Sequence, residues 1–192
     1  MLYTVNKFTA LILFSAILAL SNCSSKNDSV TVNRKDLDSM QLKIKNLIAE
    51  NERIIAHLNK FDTLDYKVFT NQQWSRMFES HSKFIRVHWP DGRNTIGIDK
   101  HVEDLKDMFI YAPNTSIRQH TIRFGSANMT CVVGVMTGTF TRPMPIGKGK
   151  FIQPTGKSFS IQLCTVGIWK DAVMIEEYLF WDNQSFMKQI GI

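Results

Sequence analysis

Cysteine is scarce in this chain, with three in 192 residues. None of them forms CxxC or stands at metal-ligand spacing from a histidine, which excludes zinc-ribbon, zinc-finger and thioredoxin-type motifs. The five histidines make no HExxH pair, and no serine sits in GxSxG. Zincin and α/β-hydrolase chemistry therefore lack their sequence signatures. Basic runs are missing too. The formal charge of +6 is dispersed, and one unit of it, Lys7, lies in the N-terminal leader. Such a chain is drawn weakly to anionic surfaces and carries no nucleic-acid footprint. "QPTGKS" imitates a phosphate-binding loop, but Phe151 stands where that loop needs glycine, and a strand rather than a helix follows.

Long apolar runs are also absent from the N-terminus. "FTALILFSAILAL", residues 8–20, is shorter than the ~20 residues of a spanning helix. Lys7 before it and small residues near its end give residues 1–22 the form of a secretion signal. "LSNC", Leu20 to Cys23, resembles a bacterial lipobox, departing from it at Asn22. This reading expects lipid on Cys23, a flexible tether over residues 23–36 and anchorage at the cell envelope through the N-terminal lipid. The alternative is a plain signal peptide cut nearby. Cys131 and Cys164 lie in apolar, strand-like runs. They are either free, buried, small core residues or, as export permits, a bonded pair.

What is present begins with a heptad. Leu37, Met40, Ile44, Leu47, Asn51, Ile54 and Leu58 recur at alternating spacings of three and four. A helix over 37–60 with Asn51 at an a position would fix a parallel homodimer in register. Ile48 and Ile55 widen the stripe, so an amphipathic helix packed on its own domain is the other reading. Residues 61–192 suffice for one domain with its own core. They begin with further helix through Trp74 and Phe78, then a strand "FIRVHW" and the turn "PDGR". A helix "DKHVEDLKDMFIY" follows, with Asp99 as its N-cap. "SIRQHTIRFG", "MTCVVGVMTGTF", "KSFSIQLCTVGIW" and "AVMIEEYLFW" read as consecutive antiparallel strands, and "NQSFMKQIG" as a closing helix. Helices first and a meander last make the fold class α+β.

The last strand carries the chemistry. Side chains alternate across a sheet, so Glu176, Tyr178, Phe180 and Asp182 share one face, and Ile175, Glu177, Leu179 and Trp181 the other. The first face, apolar with convergent polar groups, has the composition of a pocket wall. The second suits packing on helices. Asp182 can also cap the final helix.

"EEYLFWDNQSFMKQIG" resembles the C-terminal signature of SnoaL-like polyketide cyclases and related ester cyclases in Glu176, Tyr178, Asp182, Gln189 and Gly191. Upstream, "VHWPDGRNTIGIDKHVEDLKDMF" is similar to the family in His88, Pro90, Gly92, Gly97 and Phe109. The resemblance covers roughly residues 60–192. It implies a nuclear-transport-factor-2-like cone, with helices cupped by a curved antiparallel sheet around one pocket for a small hydrophobic ligand. It also implies that Asp182 acts as general acid/base with His88 on a small apolar carbonyl compound, with no metal or organic cofactor. Glu176, Tyr178 and Phe180 would then line the substrate site. His120 is a further candidate from its setting alone. A non-catalytic ligand-binding or dimerisation module stays open beside the enzyme.

Overall fold

The computed structural model describes residues 33–192. The expected signal peptide, Cys23 and most of the tether lie outside the described residues. Helix α1 runs Arg34–Thr63. Over its N-terminal half Leu37, Met40, Ile44 and Leu47 are exposed, whereas near its C-terminus Leu58 and Phe61 are buried in the core. The reading of a helix packed on its own domain thus holds for the C-terminal half of α1.

The compact unit is Lys43–Ile192. After α1 the backbone tightens into a π-helical turn, Leu64–Phe69, and then a 3-10 turn, Trp74–Glu79. Strands β1 (His81–His88) and β2 (Asn94–Ile96) form a hairpin across the Pro-Asp-Gly-Arg turn, where Gly92 takes a positive φ of 84°. Helix α2 spans Ile98–Tyr111, with Gly97 and not Asp99 at its N-cap. Strands β3 (Ser116–Ser126) and β4 (Met129–Thr139) follow, then the short β5 (Met144–Pro145) and β6 (Phe151–Ile152). Strands β7 (Ser158–Lys170) and β8 (Val173–Trp181) lead into α3 (Asn183–Ile190).

The main sheet has the order β2-β1-β8-β7-β4-β3, and β5 pairs with β6 apart from it. The expected meander is present as β3-β4-β7-β8. The sheet is mixed rather than wholly antiparallel, because β1 lies parallel to β8. That pairing needs a long connection between the two strands, and the meander between them provides it. One face of the sheet meets the helices. There, Phe61, Leu64, Met77, Val87, Val132, Trp169 and Leu179 form one buried cluster, and Phe69, Phe109, Met136, Phe159, Leu163 and Phe186 a second.

Two bulges decide which side chains face that core. In β8 the register with β7 shifts between Ile168 and Trp169, which pair with Glu176 and Met174 and leave Ile175 unpaired. A bulge re-aims the residues beside it, so Met174 and Glu177 are both buried although three positions apart. In β3 the register is irregular on both sides of His120.

Candidate functional site

Between the inner sheet face and the helices lies a small cavity of about 60 Å³. Its wall is mainly apolar, including Met77, Met108, Met136, Trp89, Leu179 and Trp181. Thioethers adapt their shape readily, so a close-fitting cavity of this composition can widen around an apolar guest. Four polar residues also line it: Asp65, His101, Thr165 and Glu177. All four are buried.

Asp65 sits on the π-helical turn, a local widening of the helix that recurs at functional sites. The Thr70 hydroxyl donates to the Asp65 carbonyl at 2.8 Å and the Thr70 amide to the same oxygen at 3.2 Å, which pins the turn. His120 comes from the irregular stretch of β3. Its ring fits because Gly134 faces it on β4: a Cβ there would lie 3.2 Å from Ile117 and 3.4 Å from the ring. Nε2 of His120 is 2.8 Å from Oδ2 of Asp65, and Nδ1 is 2.7 Å from Oδ1 of Asp62. Arg123 pairs with the other oxygen of Asp62 at the surface. A chain of bonded groups therefore runs from solvent through Arg123, Asp62 and His120 to a carboxyl on the cavity wall.

Burial raises the Asp65 carboxyl, opposed in part by its bond to His120. Burial also works against protonation of His120, but the two carboxylates outweigh it and raise the imidazole. Both shifts favour holding one proton between the pair. It rests either on Nε2, as imidazolium between two carboxylates, or on Asp65, beside a neutral ring that donates from Nδ1 to Asp62. The pair thereby has the two states that an acid/base catalyst alternates between.

A second cluster adjoins the cavity. Oε2 of Glu177 lies 3.2 Å from Nε2 of His101 and 3.7 Å from Nε2 of His81. Burial pushes the His101 imidazole down to about 4, so the ring is neutral at ordinary pH.

The face expected to wall the pocket is on the outside. His88 and Glu176 bond at 2.6 Å with side chains 26% and 31% exposed, and the His88 ring stacks on Tyr178 at 4.0 Å. Phe180 is exposed beside them. His88 draws the Glu176 carboxyl below its usual range. The physical reason for the reversal is that the cavity lies inside the core. The pocket side of β8 is thus its apolar side, Glu177, Leu179 and Trp181. Asp182 is exposed and caps α3, its Oδ1 accepting the Ser185 amide at 3.0 Å and its Oδ2 the Ser185 hydroxyl at 2.5 Å. The Ser185 hydroxyl, then the amide, hold its carboxyl below the ordinary value. Of the expected site residues, His120 alone reaches the cavity group, through Asp65. Asp62, Asp65, His101 and Glu177 were missed. The carboxylate inside the apolar run "TLDYKVF" is the signal that marks Asp65. Cys131 and Cys164 are free thiols, 3.6 Å apart and half-buried on the outer face. Burial, with Cys131 beside it, pushes Cys164 up to about 11.

The sequence model of one protein family, SnoaL-like polyketide cyclase, matches residues 59–190. No curated protein matches the chain at a significant level. Among solved structures, a protein from Jannaschia sp. CCS1 described as a SnoaL-like polyketide cyclase aligns at 16% identity and TM-score 0.63. The alignment covers 71% of this chain and 92% of that one. IdmH from Streptomyces antibioticus, described as a polyketide cyclase, aligns at 15% identity and TM-score 0.60, covering 71% and 99%. An NTF2-like protein of unknown function from Burkholderia pseudomallei K96243 aligns at 12% and 0.57, covering 71% and 98%. At these identities the likeness establishes the fold, a nuclear-transport-factor-2-like cone.

Proposed function

The chain belongs to the SnoaL-like polyketide cyclase family, and from that premise we propose that it performs acid/base chemistry, of cyclase or isomerase type, on a small apolar carbonyl compound. The supporting observation is the Asp65–His120 pair, a buried carboxyl on the cavity wall joined by a 2.8 Å bond to an imidazole. Ionised Asp65 takes a proton from the carbon next to a carbonyl, and the C–H electrons pass into the enolate. Attack of that carbon on a second carbonyl of the same molecule forms the ring bond and an alkoxide. The alkoxide recovers a proton from Asp65, so substrate and product are isomers and nothing is consumed. His120 and Asp62 position Asp65 and exchange its proton with the surface. An apolar cavity suits this step because desolvation keeps the carboxyl near the pKa at which it can both take and return a proton.

The test is hydrogen–deuterium exchange at the activated carbon of a panel of apolar 1,3-dicarbonyl compounds in D2O, followed by NMR. Wild-type protein should accelerate exchange, and Asp65→Asn should lose the acceleration by about 10²–10⁴-fold. Saturable binding of these compounds without exchange in the wild type would favour the other reading, a module that only holds a small hydrophobic ligand. The predominantly apolar wall supports that reading as well.

We also place the protein at the cell envelope, on the strength of the leader and "LSNC". Mass spectrometry of the mature N-terminus should find diacylglycerol on Cys23. Cleavage elsewhere with a bare thiol would remove the anchor.

A further inference from the structure

The His81, His101 and Glu177 cluster has no part in the acid/base step above. The three come from β1, α2 and β8, and their potential ligand atoms lie within 4.8 Å of one another. Each residue is almost wholly buried. Despite that burial, Nε2 of His81 and Oε2 of Glu177 have no hydrogen-bond partner among the described residues. A buried carboxylate oxygen and an imidazole nitrogen left unpaired cost stability, so their convergence, with Nε2 of His101 beside them, calls for an occupant.

The orientation of His81 narrows the choice. Its Nδ1 is 2.8 Å from the Ser80 hydroxyl oxygen, which itself lies 3.3 Å from the Met77 carbonyl. With the hydroxyl donating to that carbonyl, Nδ1–H of His81 donates to Ser80. Nε2 then presents a lone pair toward Glu177, 3.7 Å away. In that tautomer two lone pairs face each other across a gap that a cation would bridge. Donation of the other ring N–H, here from His81 to Ser80, is also the usual device that fixes the tautomer and ring orientation of a metal-ligating histidine.

The spacing fits the same occupant. Ligand bonds of about 2.1 Å place tetrahedral neighbours about 3.4 Å apart. The two edges that end on Oε2 of Glu177, 3.2 and 3.7 Å, bracket that separation, and the third, between the imidazoles, closes within 4.8 Å. Two imidazoles and one carboxylate suit zinc, iron(II) and their neighbours, and not the hard oxygen-seeking cations. His101 and Glu177 belong to the cavity wall, which leaves a fourth position to be filled from the cavity. We propose that His81, His101 and Glu177 are the protein ligands of one divalent transition-metal ion set in the cavity wall. Sequence spacing conceals the trio, whose members stand 20 and 76 residues apart and meet only through the fold.

The experiment is titration of the chelator-treated full chain with Co²⁺, read by visible absorption, and with Zn²⁺, read by displacement of Co²⁺ and by melting temperature. One equivalent should bind without a thiolate charge-transfer band. At a hundredfold excess over Kd the melting temperature should rise by about 5–10 °C. Glu177→Gln and His81→Gln should each weaken binding by about 100-fold or more. Double replacement of Cys131 and Cys164 by serine, and His88→Gln on the outer face, should leave it unchanged. Circular dichroism of the metal-free variants shows whether each still folds, and His81→Gln carries the test if Glu177→Gln does not. Absence of saturable binding at millimolar metal, or binding that survives both ligand substitutions, overturns the proposal, as does binding that follows the cysteines. Asp65→Asn should bind the ion as the wild type does, so the metal site and the acid/base pair fail or stand separately.

Discussion

Nε2 of His120 lies 2.8 Å from Oδ2 of Asp65, a contact between a β-strand and a π-helical turn 55 residues earlier in the chain. Neither partner is tenable alone. A carboxylate 7% exposed in an apolar wall is costly without a donor, and an imidazole with its side chain 1% exposed loses its charge without an anion. Together they favour one proton shared between them, on the wall of the cavity.

This pairing sets a pH dependence. The folded-state pKa of His120 is raised, by Asp65 and Asp62 against the opposing effect of burial. Its contribution to stability is therefore complete below the unfolded histidine value of ~6.5 and is lost as pH rises through the folded value. Chemical denaturation of metal-free protein should show stability declining from about pH 6.5 upward. Asp62→Asn should lower the His120 pKa measured by NMR and reduce the decline. Asp65→Asn should fold, because the amide oxygen still accepts from Nε2–H, whereas Asp65→Ala leaves Nε2 of His120 without its partner and should cost about 1–3 kcal/mol. An unchanged His120 titration in Asp62→Asn would break the link between the surface and the cavity.

Asp182 and the cavity carboxyl separate cleanly by substitution. Both oxygens of Asp182 are engaged by Ser185, so Asp182→Asn should preserve the cap and Asp182→Ala should lower the melting temperature. The depressed pKa of this carboxyl means that its contribution is present above the unfolded value and disappears as pH falls through the folded one. Neither substitution should reduce exchange of a cavity-bound dicarbonyl compound by more than about twofold, against the loss of about 10²–10⁴ expected for Asp65→Asn. Loss of exchange in Asp182→Asn would return the acid/base role to the strand end.

The outer face of β8 has its own test. His88, Glu176 and Tyr178 form a stacked, bonded cluster on the side of the sheet away from the cavity. His88→Ala and Glu176→Gln should leave the affinity for an apolar cavity ligand unaltered, measured by fluorescence of the wall tryptophans Trp89 and Trp181. A change of tenfold or more would require a path from the outer face to the cavity that the packing does not show.

The elements were legible where periodicity is strong. Strands β3, β4, β7 and β8, helix α2 and the final helix lie where alternation and capping place them, within a residue or two of their observed ends. Two things were hidden. The parallel pairing of β1 with β8 depends on which edge of the meander is free, which no local pattern encodes. The cavity lining was hidden by a physical inversion: a strand whose polar face looks like a pocket wall turns that face to solvent, and the carboxylates on the cavity wall, Asp65 and Glu177, sit singly in apolar settings. His120 stood out only as a second candidate histidine beside His88, in "RQHTIRFG". The partners, Asp62 and Asp65, stood in a stretch that read only as helix.

The last prediction concerns the first half of α1. Leu37, Met40, Ile44 and Leu47 are exposed at heptad spacing, and Asn51 continues the seam at an a position. Ile54 and Leu58, the next members, turn instead to the domain's own core. Gly125 makes room for that turn, since a Cβ there would lie 2.7 Å from the Ile54 side chain. The stripe left over spans two heptads, too short for a stable pair in isolation. It continues into a helix already anchored by its C-terminal half, so nucleation is complete before a partner arrives. We propose a second copy of the chain as that partner, docked in parallel with Asn51 against Asn51. Sedimentation of residues 24–192 should find a dimer. Asn51→Leu should tighten the assembly while admitting higher oligomers or shifted registers, and Leu47→Glu should return it to monomer. A monomer at tens of micromolar before any substitution would refute this pairing, and an Asn51→Leu variant that stays monomeric would refute it independently.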